Sequence, residues 1–331
     1  MQTQVMTAVG QDFASYIQAF ERTLRRVFHE EGDINQLSLS RGLPDEVWKE
    51  IMDPVPLSVA IPAEYGGRGA KVQECLGVLS AASYESLPLS LTFGINIALF
   101  LEPLAKYGRE EVKGDIFRRF LEEQKMGGLM ITEPDFGSDA LNMRTSYRET
   151  AEGGYAVKGV KHWQGLTGMA DFWLIAARRE NEAGVLARDI DFFISDVSRP
   201  GQAIEVEELF DNPGLYMIPY GRNILDLDLP EAHRLQPEST GIKMMLDVLH
   251  RSRLQFPGMG MGFVKRMLDE AMRHCEQRIV GKSNLLALDQ VQYTLSRMQS
   301  AFTLTSGMCA RSCEVSSIDN NLATEGLEAN S

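Results

Sequence analysis

The feature that most constrains the fold is a double change of hydrophobic period. Apolar residues recur every three or four positions from Phe13 to about Phe120, give way to short extended runs after Gly127, and return to helical spacing after Thr240. A doubly wound sheet would interleave strands with helices, so this block pattern argues for an α+β protein instead. The expected parts are an N-terminal helical domain (1–126), a middle β-barrel or sandwich domain (127–236) and a C-terminal helical bundle (237–331).

In the first block, Phe13, Tyr16, Ile17, Phe20, Leu24, Val27 and Phe28 form one amphipathic stripe, and Pro44 with Asp45 and Glu46 reads as a helix first turn. Beyond the loop IPAEYGGRGA, helical spacing covers Cys75–Tyr84, Ile95–Tyr107 and Val112–Phe120. The middle block offers strands at Leu129–Thr132, Met143–Thr150, Tyr155–Val160, Phe172–Ala176, Ile190–Ser195, Ile204–Leu209 and Ile224–Leu229, with a hairpin turn at Glu152-Gly153-Gly154. In the last block, Pro257 is placed to kink a helix. The run GMGMG follows a helix and not a strand, which favours helix packing over phosphate binding. From Leu288, the positions Val291, Leu295, Met298, Phe302, Thr305, Cys309, Ser312 and Ser316 make a bundle stripe. Two long helices do not close a four-helix bundle, so its partners are expected from the first domain, another subunit or further chain.

Composition narrows the partners. The sum of 33 Lys and Arg against 46 Asp and Glu gives −13, which disfavours nucleic acid because backbone binding needs clustered cations. Local donors can still hold cofactor phosphates. Four cysteines without a CxxC pair read as reduced thiols, with Cys309 and Cys313 as core packing and no metal site. The start lacks a signal-peptide pattern, and Leu87–Leu101 is interrupted by Pro88, Ser90, Thr92, Gly94 and Asn96. No membrane span and a cytoplasmic location are therefore expected.

The segment Ile131–Arg178 carries the chemistry. In ITEPDFGSD, Thr132 ends a strand and Gly137 and Ser138 stand in a loop whose amides and hydroxyls suit a pyrophosphate. In KHWQGLTG, Trp163 lies beside Gly165 and Gly168, which lets a flat ligand rest against the indole; the alternative is a half-buried barrel tryptophan. Together with IPAEYGGRGA, the VKGVKHW run and the helix from RSRLQF to RMLDEA, in this order and spacing, these motifs resemble the flavin-dependent acyl-CoA dehydrogenases over nearly the whole chain.

That resemblance implies FAD held between β domain and bundle, in a homodimer or homotetramer of an enzyme of fatty acid metabolism. It implies backbone contacts to the flavin at Leu129 and Ile131, a ring hydrogen bond from Thr132, a pyrophosphate contact from Ser138 and stacking by Trp163. The family's Thr or Ser two residues after that tryptophan, a donor to flavin N5, is Gly165 here, where a backbone amide remains. Arg253 matches an arginine of the acyl-CoA site, and QRIVGK with ALDQ resembles the segment that reaches a neighbouring subunit's FAD, pointing to Arg278 and Gln290, with Arg278 shifted by one and extra residues between Gly281 and Gln290.

The implied reaction is α,β-dehydrogenation of an acyl-CoA or acyl-carrier thioester, with electrons passed to an electron-transfer flavoprotein. One branch carries its carboxylate base where this chain has Ser252; the other carries it beyond the last residue given, and neither Asp247 nor His250 matches a family base. The stretch NPGLYMIPYGRNILDLDLP also departs, and its Tyr216, Ile218 and Tyr220 can reshape the thioester entrance. Rival readings are a flavin oxidase or monooxygenase on the same fold, and a catalytically silent flavin or acyl-thioester binding protein.

Overall fold

The computed structural model describes residues 2–314. Helices α1 (Gln2–Gly10), α2 (Phe13–Arg25), α3 (Ile34–Leu37), α4 (Asp45–Met52), α5 (Val72–Glu85), α6 (Leu87–Asn96), α7 (Glu102–Tyr107) and α8 (Glu110–Glu122) make up the first part. Asp12 caps α2 by accepting from the Ser15 amide, and the helix buries Tyr16, Phe20 and Leu24. Val27 and Phe28 continue that stripe in a wide π-turn, Arg26–Glu30. Pro44 precedes α4, whose first turn carries Asp45 and Glu46. These carboxylates complement the positive helix end.

One expectation is overturned. The polar and proline positions after Leu87 do not interrupt the helix: α6, a π-turn at Ile97–Leu101 and α7 form one run of 21 residues, Leu87–Tyr107, long and apolar enough to cross a membrane. In this protein the run is core, with 72% of its most apolar window buried. Pro88 stands in the first turn, where a missing N–H costs little, and Pro103 stands just after the π-turn, where the i to i−4 ladder is already shifted. Each polar side chain finds a partner inside: Ser90 donates to the Leu79 carbonyl and Thr92 to that of Pro88, and Asn96 donates to Thr92 while accepting from the Gly127 amide.

The middle part is a curled seven-stranded sheet of β1 (Gly127–Met130), β2 (Ser146–Glu149), β3 (Tyr155–Gly165), β4 (Phe172–Arg179), β5 (Asp191–Asp196), β6 (Glu205–Leu209) and β7 (Tyr220–Leu229). Its order is β1-β4-β2-β3-β7-β6, with β5 on β4. Each strand overlaps its expected segment, and β3 and β7 run longer than their apolar runs suggest. The β2–β3 hairpin turns at Gly153, whose φ of 85° is open to glycine. Strands β4 and β5 are buried along nearly their whole length, which explains their unbroken apolar runs.

Helix α9 (Gly241–Gln277) starts at the cap Thr240 and runs through Pro257. Its GMGMG segment is a packing surface: a Cβ at Gly258 would lie 2.9 Å from the Leu76 carbonyl oxygen of α5, and one at Gly262 would run into that of Ser80. Ser83 of α5 reaches across to donate to the Met259 carbonyl at 2.6 Å. A small hairpin, β8 (Ile279–Val280) and β9 (Ser283–Asn284), leads to α10 (Asp289–Ser312). The expected stripe on α10 faces inward, with Leu295, Cys309 and Ser312 buried; Ser316 lies outside the described residues. Among the described residues the bundle amounts to α9 and α10, and Phe256, Phe263, Met267, Leu304 and Met308 remain exposed on it.

Candidate functional site

A cavity of about 700 Å³ opens where α6 and α9 meet the ends of β1, β3 and β7. That size lies within the ~300–1,000 Å³ range of small-ligand sites. The expected residues Leu129, Ile131, Thr132, Ser138, Trp163, Gly165 and Arg253 all line it. Arg278 and Gln290 do not: Arg278 caps the far end of α9 and Gln290 stands in the first turn of α10, both exposed. Tyr220, Leu91 and Ile95 of α6 and Leu99 of the following π-turn add to the wall. Sequence reasoning missed the α6 contribution, because apolar residues at helical spacing look the same whether they face a core or a ligand.

The tryptophan is placed by backbone distortion. The β3–β7 register slips between His162 and Gln164, so Trp163 sits in a β-bulge with φ at +63°. A large side chain in that left-handed region is uncommon and costs about 1–3 kcal/mol, a cost usually retained at functional sites. The indole is 52% exposed, with the Phe210 ring 4.6 Å away on one side.

The polar lining is three hydroxyls, one amide and one guanidinium, all of which can donate. Gln164 is engaged, donating to the Thr132 and His162 carbonyls. The side chains of Thr132, Ser138, Tyr220 and Arg253 have no protein hydrogen-bond partner among the described residues, and no Asp, Glu, His or Lys lines the cavity. A donor set with one guanidinium suits an anionic ligand rich in acceptors. An exposed aromatic face beside it suits a flat ring.

A buried ion pair holds this wall. Lys161, fully buried, donates from Nζ to the Ile131 carbonyl at 2.9 Å and to Glu133 Oε1 at 3.1 Å. Glu133 in turn accepts from the Arg144 amide at 2.6 Å and the Thr145 amide at 2.8 Å. One pair thus fastens both ends of the loop that carries Gly137 and Ser138. Burial pushes the Lys161 ammonium down to about 8 against the pull of Glu133. Burial also opposes ionisation of Glu133, yet Lys161 and the two amides hold its carboxyl below the ordinary value.

The base candidates lie elsewhere. The Ser252 hydroxyl donates to the Leu249 carbonyl at 2.8 Å and does not line the cavity, nor does His250. Asp247 faces the opposite side of α9, where it accepts from Tyr107 at 2.7 Å and from Arg251 Nε at 2.8 Å. Arg251 also approaches Glu102 at 3.6 Å, and Lys106 approaches Asp247 at 3.7 Å. Burial pushes the Glu102 carboxyl up to about 7, with Arg251 opposing and Asp247 reinforcing the shift.

Comparison with known proteins gives matches to the acyl-CoA dehydrogenase N-terminal domain over residues 16–124 and to the acyl-CoA dehydrogenase middle domain over residues 128–226. An L-prolyl-[peptidyl-carrier protein] dehydrogenase of Pseudomonas fluorescens is 27% identical over 225 residues, 67% of this chain and 58% of that protein. A mitochondrial isovaleryl-CoA dehydrogenase of Pongo abelii is 26% identical over 238 residues, 70% of this chain and 55% of that protein. The chain therefore spans less than two thirds of either relative. A glutaryl-CoA dehydrogenase from Mycobacterium smegmatis in complex with FADH2 superposes with a TM-score of 0.76 at 20% identity, covering 89% of this chain and 74% of that one. At that identity the likeness is one of fold.

Proposed function

The chain belongs to the acyl-CoA dehydrogenase family, and on that premise we propose that it is an FAD-binding oxidoreductase acting on an acyl thioester. The observation that carries this reading is the exposed Trp163, held in left-handed backbone at the mouth of a donor-lined cavity. Thr132 and Ser138 would hold the cofactor by their hydroxyls, with the Leu129 and Ile131 backbone against its ring. Trp163 would cover one ring face, and Arg253 would meet an anionic or acceptor group of the substrate. Arg278 and Gln290, remote from this cavity, would serve only a cofactor held by a second subunit. A bound flavin would accept the hydride that leaves a substrate carbon, and an electron-transfer flavoprotein is the expected next acceptor.

The chain's own part is orientation and polarity. The α6 and α9 side chains exclude water from an acyl chain, and the donors stabilise charge gathering on a thioester oxygen. Removal of an α-proton needs a base, and no carboxylate lines the cavity among the described residues. This observation favours a second reading, a flavin or acyl-thioester binding protein without turnover.

Purified protein with FAD, mixed without oxygen with octanoyl-CoA or a short branched acyl-CoA, separates the readings. Bleaching of the flavin bands is the result expected of a dehydrogenase. Rapid reoxidation by air with peroxide release would mark an oxidase, and ligand binding without bleaching would mark the silent protein. Trp163→Ala is expected to lower flavin occupancy; full, tight FAD binding by that variant would count against the site.

A further inference from the structure

Gly165 and Tyr220 are register partners at the last rung of the β3–β7 ladder, where the sheet ends at the cavity. Directly opposite residues on paired strands project to the same face, so what one side chain lacks the other can fill. The backbone at Gly165 does not demand glycine, since it is not among the positive-φ positions. Space does. A Cβ there would lie 3.0 Å from Ile95 Cδ1, 3.3 Å from Tyr220 Cζ and 3.4 Å from Tyr220 Cε1. The tyrosine ring thus lies across the glycine, with Ile95 of α6 closing the third side.

We infer that the Gly165–Tyr220 pair is a ligand-recognition unit, in which the glycine makes room and the Tyr220 hydroxyl donates a hydrogen bond to an acceptor atom on the ring of a bound flavin. The assignment rests on the flavin reading above and adds to it a residue outside the recurrent motifs. The hydroxyl belongs to a cavity-lining side chain and has no protein partner among the described residues. Burial alone raises its pKa, with no charged neighbour contributing, so the phenol keeps its proton and acts as a donor, not a base. Trp163, with its ring centroid 6.4 Å from that of Tyr220, supplies the adjoining aromatic surface.

The test is FAD titration of the whole apo-chain by flavin fluorescence, with the visible spectrum and midpoint potential of each bound form. Tyr220→Phe keeps the ring and removes only the donor; it is expected to weaken FAD binding about 3–10-fold, alter the blue absorption band and shift the potential. Gly165→Ala pushes the ring aside by its Cβ and is expected to give a similar loss, with the double variant little worse than either single one. Circular dichroism and melting of the apo-forms serve as the structural control, which the loss of one ligand-facing hydroxyl leaves unmoved.

Wild-type binding together with an unchanged Tyr220→Phe affinity, spectrum and potential would overturn the assignment and leave the flavin reading intact. A Tyr220→Phe defect confined to octanoyl-CoA binding would also overturn it, placing the donor on the thioester. No FAD binding by the wild-type chain would remove the flavin reading and this assignment with it.

Discussion

Arg251 and Arg253 stand two residues apart on α9 and meet opposite environments. Arg251 is 1% exposed and lies between Asp247 and Glu102, within a cluster that also holds Tyr107 and Lys106. Arg253 is exposed at the cavity wall with no protein partner among the described residues. One helix therefore carries a buried, ion-paired cluster on the face toward α7 and an exposed, unpaired donor on the face toward the cavity. The comparison teaches that charge alone does not identify a ligand site; unspent hydrogen-bonding capacity beside an open volume does.

The largest effect should come from breaking the closed side. Arg251→Met leaves Asp247 buried without its guanidinium and is expected to cost about 3–5 kcal/mol in urea unfolding. Arg253→Ala should stay within about 0.5 kcal/mol of wild type in the same assay, while acyl-CoA affinity falls roughly 10–100-fold by calorimetry. Equal destabilisation by both variants would erase the distinction.

Packing gives the next contrast along the same helix. Gly262→Ala drives a methyl group into the Ser80 carbonyl and is expected to destabilise by about 1–3 kcal/mol. The cluster around Arg251 also predicts a pH signature. Glu102 titrates near 7 in the fold and near the ordinary 4.5 when unfolded, so its neutral form favours the folded state. That contribution is complete below about pH 4.5 and is lost as pH rises through 7, with a slope of at most ~1.4 kcal/mol per pH unit. Glu102→Gln should flatten stability across this window; an unchanged profile would show the group ionised throughout. The smallest effect is Gly260→Ala, where a Cβ meets only Thr305 Cγ2 at 3.7 Å and helix propensity adds about 0.5–1 kcal/mol of stability.

The block architecture was legible because period reports burial: the α10 stripe and the hairpin at Gly153 follow directly from spacing and turn chemistry. The loop Thr132–Ser138 and Trp163 were legible as motifs. The helix at Leu87–Tyr107 was misread because a proline looks alike at a first turn and at a break, and because the polar residues return their hydrogen bonds inside the fold. Asp247 and Arg251 form an i,i+4 pair that, in sequence, is indistinguishable from a surface salt bridge; only the docking of α7 buries it. The Gly165–Tyr220 pairing depends on register across 55 positions, and no local pattern encodes a bulge that sets it.

The Glu133–Lys161 fastening has an evolutionary consequence. It anchors the loop at its base, through the Ile131 carbonyl and the Arg144 and Thr145 amides, while Gly137, Ser138 and Asp139 at the tip stay exposed. Insertions or replacements at such a tip leave the anchored ends in register. Descendants of this chain can therefore vary the exposed tip of this cavity-lining loop without renegotiating the sheet that holds it.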